Sequence, residues 1–185
     1  LAMFRAMPDF AVYRPCDAKE VIGAWNTLLN ENDHPSVLIL SRTEVPQLEA
    51  TKIENVQNGA YIIRKEEKLD AILIASGTEV STALSLAEQI KRETNLDIRV
   101  VSMPSKELFA KQSEEYKDIV LPKCNHIFTL EASSTYGWQD YATDKNHTLG
   151  IDTFGVSGTK DEVLNQMHFD FESLKKKILD QLILK

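Results

Sequence analysis

The sequence predicts an α/β protein of three layers, and three observations carry that prediction. A short apolar run at Ala71–Ala75 reads as a buried strand, and Ile98–Ser102 and residues 126–130 read as further strands. Between them, residues 80–90 repeat apolar side chains at helical spacing. Strands and helices also alternate along the chain, as they do where helices cover a mostly parallel sheet.

In order, residues 10–13 form a short strand, followed by Arg14-Pro15-Cys16-Asp17. Asp17 with Glu20 makes an acidic capping-box pattern that opens a helix to about Asn30. On that helix Val21, Trp25 and Leu28 recur as a core-facing stripe. A turn over residues 32–35 leads to a strand at 36–40, and together these make a β-α-β unit with parallel strands and a right-handed crossover. The second strand of the unit is almost wholly apolar and reads as central, covered on both faces. Residues 43–59 are polar, broken by Pro46 and ended by Asn58-Gly59. They read as a linker, with a domain boundary near residue 55.

The second block opens with a strand at 60–64, a charged turn at 65–70 and the buried strand at 71–75. Ser76-Gly77-Thr78 turns the chain, and Thr78 caps a helix to about Thr94 with Val80, Ala83, Leu84, Ala87 and Ile90 on one face. There follow the strand at 98–102, a short helix opened by Pro104-Ser105, strands at 126–130 and 148–151, and two helices at about 160–167 and 171–182. Phe171, Leu174, Ile178 and Leu182 form the stripe of the last helix, and Lys175 to Lys177 its solvated side.

A chain of 185 residues supports one ordinary domain, or one domain with a fragment of another. It opens on Leu in mid-pattern, which suggests a piece of something longer. A net charge of −7 argues against general nucleic-acid binding, so an anionic substrate would need a local cluster of Arg or Lys. Cys16 and Cys124 are far apart and form no CxxC pair, and they read as reduced, buried thiols. No apolar run is long enough to span a membrane, and residues 1–10 do not read as a secretory signal. A soluble cytoplasmic protein is expected.

Arg42 stands directly after the 36–40 strand, in the sequence Leu40-Ser41-Arg42. Ligands of open α/β sheets bind beyond the carboxyl ends of strands, and a guanidinium there suits a phosphate or carboxylate. A surface pairing with Glu44 is the plainer alternative. Gly77 alone does not make a dinucleotide or phosphate loop, which needs several spaced glycines, so its role is structural. His34, His126, His147 and His168 show no metal or nucleophile spacing and read as structural or surface residues, and no acidic cluster resembles a metal site. Tyr136-Gly137-Trp138 with Tyr141 is core, a subunit contact or an aromatic ligand platform. Phe154 to Gly158 is a glycine-containing loop. Glu131 sits at a strand tip, where a hydrogen bond to nearby loop backbone is the expected role.

With these residues in view, the chain resembles the C-terminal third of the transketolase family. The matching segments are FRAMPDFAVYRPCD, VLILSR, PQLE, NGAYII, IASGTEV, RVVSMPS, VLP, and Phe154-Gly155 followed by Ser157, in family order and over nearly the whole chain. The resemblance implies that residues 1–45 are the tail of a pyrimidine-binding domain. Residues 46–58 would be a linker, and 59–185 a C-terminal domain with a mixed, mostly parallel five-stranded sheet between helices. It also implies transfer of a two-carbon ketol unit between sugar phosphates, in the pentose phosphate pathway. Thiamine diphosphate and Mg2+ (or Ca2+) would serve at sites shared by two subunits of a homodimer.

The family's substrate-phosphate role falls on Arg42, with supporting roles for Arg14 and Ser41. No catalytic, cofactor-binding or metal-binding residue falls in the chain, because the diphosphate and metal motif, the activating Glu and a His-rich segment are missing, so turnover by this piece alone is not expected. Thr43-Glu44 stands where the family commonly has Gln-Asn, and the 158–167 stretch is poorer in Ala and Gly than is usual. Two other readings are a related thiamine-dependent enzyme (deoxyxylulose phosphate synthase or a 2-oxoacid dehydrogenase beta subunit) and a non-catalytic dimerisation or ligand-binding module.

Overall fold

Two sheets of unequal size organise the computed structural model, which describes residues 1–30 and 33–183. A short helix α1 (Ala2–Arg5) precedes β1 (Ala11–Tyr13), α2 (Ala18–Asn30) and β2 (Ser36–Leu38), and β1 pairs with β2 in parallel. Asn32, in the turn expected at 32–35, lies outside the described residues. A 3-10 segment, Ile53–Asn58, leads to β3 (Tyr61–Arg64), β4 (Ala71–Ala75), α3 (Glu79–Thr94) and β5 (Ile98–Ser102). Then come α4 (Lys106–Ala110), α5 (Glu114–Val120), β6 (Ile127–Leu130), β7 (Thr148–Leu149), α6 (Lys160–Gln166) and α7 (Phe171–Ile183).

The larger sheet has the order β3-β5-β4-β6-β7, with β3 antiparallel and the remaining pairs parallel. Its centre follows from the apolar runs: every residue of β4 and β5 is buried, as befits a parallel sheet covered on both faces. Successive side chains serve opposite layers. Leu73 and Val100 join the core formed by α3 and α7, while Ile72, Ile74 and Val101 join Phe109, Val120 and Trp138 on the other face. Three-layer α/β architecture with a mixed five-stranded sheet is therefore the observed fold.

Several elements depart from expectation. β2 is neither central nor covered: its residues are half-buried and Leu40 is 54% exposed, because among the described residues the smaller sheet has two strands only. Thr78 adopts helical backbone angles and makes no side-chain cap bond; its hydroxyl reaches the Glu79 carboxylate, and Val80 N–H donates to Gly77 O at 3.1 Å. Leu86, not Leu84, completes the fully buried face of α3. Lys175 is not simply solvated, since it pairs with Glu93 at 3.2 Å and Glu172 at 3.0 Å. α1 and α5 have no counterpart in the sequence reading.

The largest departure is the face of α2. Glu20, Gly23, Ala24 and Thr27 are buried, while Ile22, Trp25 and Leu29 are exposed. The cause is the 43–59 stretch, which is no loose linker: its 3-10 segment presses Val56, fully buried, onto the glycine. A Cβ on Gly23 would lie 2.4 Å from Ile53 O and 2.5 Å from Val56 Cγ2. Gly23→Ala is accordingly expected to destabilise the protein by about 1–3 kcal/mol through overpacking. A lowered urea midpoint would register this, and an unchanged midpoint would mean that α2 lifts from Val56 without cost.

Candidate functional site

Arg42 lies on an arch that begins where β2 ends. Ile39 N–H still donates to Tyr13 O at 2.8 Å, and the chain then leaves the sheet, with residues 40–44 all exposed. Arg42 forms no hydrogen bond or ion pair among the described residues, and the expected alternative pairing with Glu44 is not made. Ser41 turns the arch: its hydroxyl donates to Thr43 O at 2.8 Å and accepts from Thr43 N–H at 3.0 Å. Farther on, Val45 and Pro46 cross the start of α3 and line a cleft with Ser81, Thr82 and Lys160.

The arch is fastened at its far end by Asp17, the residue before α2. Its Oδ1 accepts from Glu20 N–H at 3.0 Å, as the capping pattern predicts. Its Oδ2 accepts from Leu48 N–H at 3.1 Å and Thr51 Oγ1 at 2.5 Å, and from the Gln47 side-chain amide. Lys19 Nζ adds bonds to Leu48 O at 3.1 Å and Glu49 O at 3.3 Å. Glu20 looks the other way. Buried and paired with no cation among the described residues, it accepts from Cys16 N–H at 2.7 Å, Tyr61 Oη at 2.7 Å and Ser102 Oγ at 2.5 Å, which ties α2 to β3 and β5. Burial raises its pKa above the usual carboxylate range despite those bonds.

Arg14 enters the seam between the two sheets. Its Nη1 meets Glu79 Oε2 at 2.6 Å, also donates to Ser76 O, and lies 3.7 Å from Glu131 Oε1. Gly77 makes room for it: with φ at +62°, any Cβ there would sit 2.7 Å from Arg14 Cζ. Glu79 also accepts from Ala132 N–H at 3.1 Å, which links the start of α3 to the end of β6.

Glu131 does not make the local backbone bond expected of it. It is 1% exposed and holds Arg5 in a two-pronged pair, Nη1 to Oε2 at 2.7 Å and Nη2 to Oε1 at 2.9 Å. Trp138 Nε1 donates to it at 2.8 Å and Ser133 Oγ at 2.6 Å. Burial alone would raise the Glu131 pKa, but the bonds and charge of Arg5, helped by Arg14, hold it down at about 2. Trp138 is thus core, with Arg5 and Lys106 stacked on its ring at 5.2 and 4.7 Å. Burial and the neighbouring Arg5 charge lower the Lys106 pKa to about 8.

The other candidates are structural. His147 is buried against Phe128, ring centroids 4.2 Å apart, and its Nδ1 lies 2.7 Å from Thr143 Oγ1. Cys16 and Cys124 are free thiols, the first buried and the second half-buried. Phe154 is 98% exposed in its loop. Among the described residues, no group of three or more His, Cys, Asp or Glu converges to hold a metal ion, and no helix is long and apolar enough to cross a membrane. Arg5 and Lys106 were missed as network members. Arg5 lies within the FRAMPDF segment, but its partner stands 126 positions away.

Comparison with known families decides what this arrangement belongs to. Residues 59–170 match the model of the transketolase-like C-terminal domain, and residues 1–47 that of the transketolase pyrimidine-binding domain. The chain belongs to the transketolase family. A transketolase of Bacillus subtilis is 38% identical over 184 residues, covering 96% of this chain and 27% of that protein. A chloroplastic transketolase of Solanum tuberosum is 40% identical over 178 residues, covering 94% of this chain and 24% of that protein. The crystal structure of Pichia stipitis transketolase in complex with sedoheptulose-7-phosphate superposes with a TM-score of 0.92 at 34% identity, covering 99% of this chain and 26% of that one. The chain therefore spans about a quarter of the length of the relatives it matches.

Proposed function

We propose that this chain supplies the phosphate anchor and the structural base of an enzyme that moves a two-carbon ketol unit between sugar phosphates. The observation that carries the reading is Arg42, exposed beyond the carboxyl end of a parallel strand and bound to nothing among the described residues. An unpartnered guanidinium in that position is free to donate two parallel bonds to a phosphate. A phosphate held far from the reacting carbonyl orients the sugar and contributes remote binding energy to the transition state. Ser41 supports it by turning the chain directly after Arg42. Arg14 supports it from the seam, without touching substrate.

Thiamine diphosphate, bound with Mg2+ or Ca2+, would supply the carbanion chemistry of such an enzyme. The part proposed for this chain is binding and orientation, with turnover drawing on the remaining length of its relatives. Assembly of the full-length enzyme as a homodimer is supported by Ile22, Trp25 and Leu29, which lie exposed on α2 and call for cover. The two free thiols fit a reducing compartment such as the cytoplasm. The test is Arg42→Ala in the full-length enzyme, assayed with phosphorylated and non-phosphorylated donors. Impairment restricted to the phosphorylated sugars supports the reading, and equal impairment sinks it.

A further inference from the structure

We propose that Asp17 is the positioning residue of the phosphate-binding arch, fixing Arg42 from a distance by clamping the far end of residues 40–46. The inference rests on the reading of Arg42 as phosphate anchor and adds to it the element that holds the anchor still. Arg42 has no internal partner among the described residues, so its placement depends on where the arch leaves and rejoins the fold. At the near end the last tie is Ile39 N–H to Tyr13 O. At the far end three donors, the Gln47 amide, Leu48 N–H and Thr51 Oγ1, converge on the single oxygen Oδ2 of Asp17.

Asp17 itself is 2% exposed and is fixed by Glu20 N–H at the start of α2. That helix is locked in turn, through Glu20, to Tyr61 of β3 and Ser102 of β5. The arch is thereby referred to the larger sheet through a rigid path. A carboxylate suits this role because it accepts only: three converging donors need an acceptor with several lone pairs and no proton of its own. An amide at the same place would present either one oxygen or two N–H donors, and in the second orientation it would oppose the Leu48 amide. Lys19, half-buried and bonded to Leu48 O and Glu49 O, is a second clamp on the same stretch of the arch.

The experiment uses Asp17→Asn in the full-length enzyme, alone and combined with Arg42→Ala, with kcat and KM measured for phosphorylated and non-phosphorylated donors. The expected result is a rise in KM of roughly 10-fold for phosphorylated donors, with kcat little changed and the preference for phosphorylated over non-phosphorylated sugar reduced to match. In the Arg42→Ala background the same substitution should change that preference no further, since both act through one contact. Should Asp17→Asn fail to fold, Gln47→Ala removes one of the three donors from the exposed side and is expected to shift the preference in the same direction. Equal loss on both donors, or an undiminished effect in the Arg42→Ala background, overturns the inference while leaving Arg42 as anchor. Arg42→Ala without any change in preference overturns the anchor reading and this inference with it.

Discussion

Glu131→Ala is expected to be the most destabilising single substitution in the seam, costing about 3–5 kcal/mol, the range for removing one partner of a buried ion pair. The size follows from what stays behind. The Arg5 side chain is 6% exposed and loses its carboxylate partner in a site from which water is largely excluded, while Arg14 keeps Glu79 at 2.6 Å but loses the second negative charge 3.7 Å away. Trp138 Nε1 loses its acceptor as well. Urea unfolding should show the loss, and a change below about 1 kcal/mol would mean that the network relaxes and rehydrates. The pair's worth should also depend on acidity. A carboxyl held at about 2 when folded, against ~4.3 in an unfolded chain, contributes roughly 3 kcal/mol at neutral pH. Because the folded value is depressed, that contribution is complete above the unfolded value and fades as pH falls from about 4.3 towards 2. Acid unfolding of the wild type should include this segment, and that of Glu131→Ala should lack it.

The long-range pairing of Glu131 with Arg5 shows where sequence periodicity stops being informative. α3 and α7 were legible because their stripes face a core formed by nearby strands, and β4 because a strand buried on both faces is apolar throughout, whereas β5 also buries Arg99 and Ser102. On α2 the period was right and the face was wrong. Spacing fixes which residues share a face, but the partner decides which face is buried. Here the partner is the 3-10 segment carrying Val56, which requires small residues opposite it. Bulk therefore points outward at Trp25 and Leu29, against the usual preference.

The charged network was invisible for a related reason. Arg5 with Glu131, and Arg14 with Glu79, are joined only when two sheets are docked, and no local spacing encodes that docking. Arg42 sits at the other extreme. Its position beyond a strand was plain from the sequence, because a strand end is a local signal. Its anchoring by Asp17 is half legible: the spacing to Glu20 marks Asp17 as a cap, but the Oδ2 that caps nothing is free to hold residues 47–51.

Arg42→Ala in the full-length enzyme is expected to raise KM for phosphorylated donors by about 10-fold or more, with a much smaller effect on non-phosphorylated ones. A charge-assisted hydrogen bond contributes roughly 1.5–3 kcal/mol, and a guanidinium can donate two, so loss of even one bond reaches a factor of about 10. The exposure of Arg42 pulls the other way, since exposed charge pairs are screened and typically worth no more than ~1 kcal/mol. Two features decide in favour of the larger figure. Arg42 has no competing internal partner among the described residues, so no existing pair must be broken before phosphate binds. The arch is also held at both ends, so little conformational freedom remains to be lost on binding. Salt provides an independent check, because a contact between a guanidinium and a phosphate weakens with ionic strength. In the wild type, KM for phosphorylated donors should rise with added salt, and in Arg42→Ala that dependence should flatten. A wild-type KM insensitive to salt, together with equal losses on both classes of donor in Arg42→Ala, would make Arg42 a structural residue of the arch and move the phosphate site elsewhere.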